Sequence, residues 1–234
     1  MRSVRLWTAG VLLAGSQVAS AAPMTISIEA LNSQLYFGQI PTYHGFYDLT
    51  VRICNEQGDC TYLHPDEDPQ SRSIEARDSV LVQQTLHQQG GQVVGSTYEY
   101  QGGTLEMLLT FSTGGTPVSG GFTAPIHSLT VSAPDATGDG GDTLDDVHYV
   151  LGPGLFDPAL ARFLGVRPES PGGTIISYMV LWPPNGGDHQ SEARQAWDGG
   201  SYIDLEVTPV PEPTTWALAA LGLAAVWLRR RQLD

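Results

Sequence analysis

The 234-residue chain has no lysine. Schiff-base chemistry, a lysine general base and lysine isopeptide cross-links are therefore excluded. Catalytic punctuation is also missing. No G-x-S-x-G nucleophile elbow occurs, and the six histidines (44, 64, 87, 127, 148 and 189) stand singly, with no pair at H-x-x-x-H zinc spacing. Basic residues are scarce. Of 11 arginines, two lie in the first 21 residues and three in the last six, which leaves six between them. Residues 22–213 hold 24 of the 25 acids, a formal charge of −18. Such a field repels a nucleic-acid duplex or an anionic membrane surface, so nucleic acid is no partner. Long apolar runs are confined to the two ends.

Those ends carry the clearest signals. Arg2 and Arg5 form a basic region, Leu6 to Ala14 an apolar one, and Ala19-Ser20-Ala21 an A-x-A cleavage site. This is the layout of a signal peptide over 1–21, cut by signal peptidase after Ala21. At the other end Pro211 and Pro213 fix φ and withhold backbone donors around Glu212. An uncharged run follows, predicted as a transmembrane helix over 214–228, and then Arg229, Arg230 and Arg231. Some 15 residues at ~1.5 Å each span about 22 Å, short of a ~30 Å hydrocarbon core. The arginines hold the far end in the cytoplasm. Physics alone allows an ordinary single-span anchor here.

The two cysteines, Cys54 and Cys60, enclose Asn55-Glu56-Gln57-Gly58-Asp59 and are flanked by strand-like residues. C-x5-C is not redox spacing. An exported chain meets an oxidising compartment, so a disulfide across the base of a β-hairpin is expected, contributing ~2 kcal/mol for so short a loop. Eight Gly-Gly pairs punctuate the chain, three of them (90–91, 102–103, 114–115) at 12-residue intervals between β-rich segments. Read as hairpin turns of a meander, they predict an all-β fold, an antiparallel β-sandwich of jelly-roll or immunoglobulin-like type, over 22–208. One short helix is expected: Asp157 as N-cap, Pro158 at N1, Gly165 as stop. Residues 73–89 admit either helix or strand, with strand favoured by Val80-Leu81-Val82.

Two internal constellations could bind ligands. Asp135, Asp139, Asp142 and Asp145, interleaved with glycines, could fold carboxylates around calcium, although the spacing misses the EF-hand loop and a solvated acidic loop explains them equally well. No other cofactor is indicated. Trp182 and Trp197 border Gly-, Asn- and Asp-rich loops and could stack on a sugar, or simply cap the core.

Val210-Pro211-Glu212-Pro213, the apolar run and the arginine cluster resemble the PEP-CTERM sorting signal of Gram-negative bacteria. Only Gln232 to Asp234, after the arginines, depart from its tripartite order. The resemblance covers about a tenth of the chain. It implies recognition by an exosortase near Pro211–Pro213, a transient tether in the inner membrane, and delivery to the cell surface or an exopolysaccharide matrix. It implies no activity for the residues between the two signals. The expectation is an exported, non-enzymatic surface or matrix protein associated with exopolysaccharide in a biofilm, or alternatively a carbohydrate-binding module.

Overall fold

The computed structural model describes residues 22–39, 41–68, 70–112, 114–134, 144–181, 193–197 and 199–210, with backbone alone at 134, 144–145, 180–181 and 193–197. The strands are β1 (Met24–Gly38), β2 (Tyr43–Cys54), β3 (Cys60–Leu63), β4 (Arg72–Arg77), β5 (Val80–Gln89), β6 (Gln92–Gln101), β7 (Thr104–Phe111), β8 (Val118–Pro134), β9 (Leu144–Leu151) and β10 (Gly154–Phe156). Helix α1 (Pro158–Leu164) follows, then β11 (Glu169–Ser170), β12 (Gly172–Leu181), β13 (Ala193–Trp197) and β14 (Ser201–Val207).

These strands close into an eight-staved antiparallel barrel, and the expected sandwich is corrected. The ring runs β1–β2–β4–β7–β8–β9–β12–β14 and back to β1. Its closing seam is β1 against β14, with Met24 opposite Val207 and Ala30 opposite Ser201. The sequence pattern could not separate the two architectures. In a sandwich or a barrel each strand contributes one inward apolar row and one outward polar row. Such rows are plain here: Leu105, Met107, Leu109 and Phe111 on β7, and Ile203, Leu205 and Val207 on β14, are all buried.

Several staves are two strands in series. β4 and β5 form one antiparallel stave against β6 and β7, interrupted at Asp78–Ser79 on one side and Gly102–Gly103 on the other. The Gly102–Gly103 pair is therefore a kink inside a stave, not the hairpin turn expected from its spacing. Gly90–Gly91 does make a turn: Gln89 pairs with Gln92, and both glycines have positive φ (61° and 84°), as a two-residue hairpin needs. At the kink, Gly103 has φ +90°, and a Cβ there would stand 2.5 Å from the Arg77 carbonyl oxygen and 2.7 Å from the Ser79 amide nitrogen. Ser79 Oγ donates to the Gly102 carbonyl across the same point at 2.8 Å. The ambiguous 73–89 segment is strand throughout apart from that break.

The helix forms where expected, with a left-handed Gly165 (φ 70°) at its end. Asp157 precedes it but makes no side-chain cap. Its carboxylate instead accepts the Gly121 amide at 2.7 Å, fastening the helix to β8. Leu160, Ala161 and Leu164 face the core, and Leu160 rests on Gly120, where a Cβ would come within 2.7 Å of its own. The Cys54–Cys60 disulfide joins register partners at the end of the β2–β3 hairpin, as expected. No helix among the described residues is long and apolar enough to cross a membrane. The expected span at 214–228 and the expected signal peptide at 1–21 both lie outside the described residues.

The kink gives a stability prediction. Gly102→Ala meets open space and should lose about 1–2 kcal/mol from its left-handed backbone alone. Gly103→Ala, pressed on the β4–β5 backbone, should lose ~1–3 kcal/mol more. Urea midpoints of the two variants check the order.

Candidate functional site

The barrel interior is packed with side chains. His44 on β2 points inward and is fully buried; its Nδ1 lies 3.0 Å from Tyr149 Oη on β9, the stave directly opposite in the ring. The imidazole also stacks on Phe46, with ring centroids 4.1 Å apart. Burial pushes the His44 pKa down to about 3, and burial, with a smaller push from Tyr100, raises that of Tyr149. A proton on this imidazole would be a buried charge with no carboxylate to meet it, so the ring is neutral. Its Nε2 has no hydrogen-bond partner among the described residues. Enclosed and uncharged, His44 serves as a cross-barrel strut. Tyr100 ties β6 to the end of β1, its hydroxyl donating to the Gly38 carbonyl at 2.9 Å and accepting the Gly38 amide at 2.7 Å.

A second internal polar group lines the seam. Ser201 Oγ on β14 lies 2.7 Å from Ser177 Oγ on β12 and 3.1 Å from Ser33 Oγ on β1. Ser33 donates to the Gly199 carbonyl at 3.1 Å. Each hydroxyl has one proton, so the chain is self-consistent if Ser177 donates to Ser201 and Ser201 to Ser33. The ladder satisfies buried hydroxyls where β13 gives way to β14.

A candidate ligand site lies on the outer wall. Along β2 the side chains of Tyr43, Gly45 and Tyr47 face out while His44 and Phe46 face in, as strand alternation demands. Gly45 leaves room for the tyrosine rings to lean together; a Cβ there would be 2.7 Å from Tyr47 Oη and 2.9 Å from Tyr43 Oη. Tyr43 Oη donates to Glu75 Oε1 on β4 at 3.3 Å. Burial, then the neighbouring Tyr47 hydroxyl, then the charge on Glu75 raise the Tyr43 pKa, so its hydroxyl remains a donor at neutral pH.

These side chains border a groove of about 230 Å³, lined by Tyr43, Gly45, Tyr47, Arg72, Ser73 and Glu75 over the backbone of Phe46 and Ile74. It opens where β2 parts from β4, after the Phe46–Ile74 pair. There Asp48 takes φ 54° and is held by the Asn32 amide and by Arg72 Nη2, the latter at 3.6 Å. Tyr36 on β1 extends the aromatic surface, its ring 6.1 Å from that of Tyr43. Ring faces beside a carboxylate, a guanidinium and phenolic hydroxyls suit a polyhydroxylated ligand. The sequence held one signal for the groove that went unread, the alternation in Tyr43-His44-Gly45-Phe46-Tyr47.

The residues expected to bind ligands are placed elsewhere. Asp135, Asp139 and Asp142 lie outside the described residues, and Asp145 is described only as backbone on β9. Among the described residues no three His, Cys, Asp or Glu side chains gather as a metal site. Trp182 lies outside the described residues, and the backbone of Trp197 pairs with Gln34 and Val180. Pro211, Glu212, Pro213 and Arg229–Arg231 also lie outside them. The described chain ends at Val210, whose amide donates to the Gly165 carbonyl at 2.9 Å, beside an antiparallel bridge between Pro209 and Val166.

Residues 209–232 match the family model of the PEP-CTERM protein-sorting motif. The match covers the tail and leaves the barrel without a family. No curated protein matches the chain, and no solved structure does.

The neutral strut predicts a pH dependence. A His whose folded pKa is lowered contributes stability above its unfolded pKa near 6.5. That stability is lost as pH falls from there to about 3. The slope reaches ~1.4 kcal/mol per pH unit for one proton. His44→Leu should be less stable at pH 7 yet fall less steeply between pH 6 and 4; urea unfolding at each pH measures both slopes.

Proposed function

We propose that this chain, carrying a PEP-CTERM sorting motif directly after its last barrel strand, is an exported surface or matrix protein that acts by binding rather than catalysis. The motif at 209–232 is the observation that carries this reading. The leader at 1–21 takes the chain through the inner membrane, and 214–228 holds the precursor there until exosortase acts near Pro211–Pro213. Exopolysaccharide is the matrix with which the released barrel associates. The non-catalytic part of the reading is supported by the missing lysine, the absent nucleophile elbow and the sealed, neutral state of His44. Intact mass of the protein from envelope and medium tests the route. The expected mass begins at Ala22, contains one disulfide and ends near Pro211–Pro213. A mature form that keeps Asp234 in cells with a working exosortase refutes it.

A second reading, specific carbohydrate binding, is favoured by the tyrosine groove. Its ring faces would stack on a pyranose while Glu75 and the phenolic hydroxyls bond sugar hydroxyls. Strong negative charge on the body makes neutral saccharides the expected ligands. Tyr43→Ala and Tyr47→Ala should each weaken binding to the host's polysaccharide by about tenfold, the loss of one stacking contact of ~1.4 kcal/mol. Gly45→Val, which drives a side chain into both hydroxyls, should abolish it. Calorimetric titration of the folded variants is the measurement, and unchanged affinity in all three refutes the groove.

A further inference from the structure

Both ends of the described chain leave the barrel at one rim. Met24 opens β1 opposite Val207, the last residue of β14. The chain is not released there. The Arg167 amide donates to the Thr208 carbonyl at 2.8 Å, Pro209 bridges Val166, and the Val210 amide donates to the Gly165 carbonyl. Val210 is thus fastened to the C-terminal end of α1. Only Pro211, Glu212 and Pro213 stand between it and the apolar run. Four fully extended residue steps reach at most ~14 Å. By comparison, β8 runs roughly 40 Å from Phe122 to Pro134 at ~3.3 Å per residue. A tail embedded in a bilayer therefore leaves this rim against the headgroups and the Gly90–Gly91 hairpin far from them, since Gly95 near that turn pairs with Pro134.

The point where the chain leaves decides which side of the rim rests on lipid, and that point is the C-terminal end of α1. Arg72 and Arg77 are engaged in ion pairs with Asp48, Glu75 and Glu106. Arg162 and Arg167, on either side of Gly165, are exposed and form no ion pair among the described residues. Nearby apolar groups are also exposed, Leu155 by 59% and Val210 by 51%. Elsewhere on the rim the β2–β3 turn presents Glu56 and Asp59, both exposed, next to the Cys54–Thr25 pair. The shoulder also carries exposed Asp157, Glu169 and Glu206, and Arg52 stands beside the turn. Net charge is therefore similar on the two sides, and the exit of the chain at Val210 sets which one meets lipid, where Arg162 and Arg167 offer guanidiniums to phosphate.

Resting on the reading of the tail as a membrane segment, we infer that the α1 shoulder is the membrane-docking face of the uncleaved precursor. Arg162 and Arg167 lie on phospholipid phosphates, with Leu155 and Val210 at the headgroup boundary and the acidic turn tilted away. The docked pose presents Pro211–Pro213 at the membrane surface, where a membrane-embedded processing enzyme can reach them. Once the tail is cut, two arginines do not hold a strongly acidic barrel on an anionic leaflet.

The test reconstitutes the full chain, tail included, in vesicles of phosphatidylcholine and phosphatidylglycerol. A fluorophore is placed at Leu155→Cys, Gln57→Cys or Gln89→Cys with the Cys54–Cys60 disulfide kept oxidised, and nitroxide-headgroup lipid serves as quencher. All three proteins should float with the vesicles. Quenching should be strong at 155, severalfold weaker at 57 and absent at 89. R162Q/R167Q should reduce the signal at 155 severalfold without affecting flotation, and R162K/R167K should restore it. Flotation with equal quenching at 155 and 57, or an unchanged signal in R162Q/R167Q, overturns the docking face and leaves the tail reading intact. Failure to float overturns the tail reading, and the docking face with it.

Discussion

The architecture depends on one seam of backbone hydrogen bonds. β1 pairs along one edge with β2 and along the other with β14, over seven register partners from Met24–Val207 to Ala30–Ser201. Without that second edge the strands would form an open curl, with β1 and β14 exposing unpaired amides and carbonyls. Closing the ring removes both edges, the liability that extended sheets otherwise manage with charge, proline or bulges. The seam also brings the first and last barrel residues together, so whatever precedes Met24 and follows Val207 departs from one rim.

Closure raises a packing problem that the interior solves by mixing apolar and polar contacts. Branched aliphatics and phenylalanines fill most of the lumen, but two polar links cross it. The His44–Tyr149 strut joins opposite staves, and the serine ladder joins three adjacent ones. Both bring buried polar groups from different staves within hydrogen-bond reach, and directional links of that kind favour one register over its neighbours. The glycines act where two backbones must come close. Gly103 lets paired staves kink together, and Gly120 lets α1 settle on β8.

Fold class was largely legible in the chain. Alternating apolar rows, glycine-rich punctuation and the paired cysteines correctly pointed to antiparallel β-structure, a short helix at 158–164 and a hairpin disulfide. The evenly spaced Gly-Gly pairs misled in part, because positive φ serves a turn at 90–91 and a mid-stave kink at 102–103. Asp157 misled in detail: a good N-cap residue by type, it is drawn off to the Gly121 amide of a strand distant in sequence. The tyrosine groove went unread because its partners, Glu75 and Arg72, lie on another stave some thirty residues away in the chain.

By itself the sequence determined whatever depends on local composition. A sorting motif is read as a short linear stretch, and so is written contiguously; the match at 209–232 rests on that stretch alone. Strand alternation and the hairpin disulfide are likewise local. Only the tertiary structure decided that the sheet closes, that His44 is sealed and neutral, and that Tyr43 and Tyr47 share a groove with Glu75. It also decided that Val210 is held at the foot of α1. Each of these joins residues far apart in the chain, and residue pattern along one strand says which side faces inward but not which strand lies beside it.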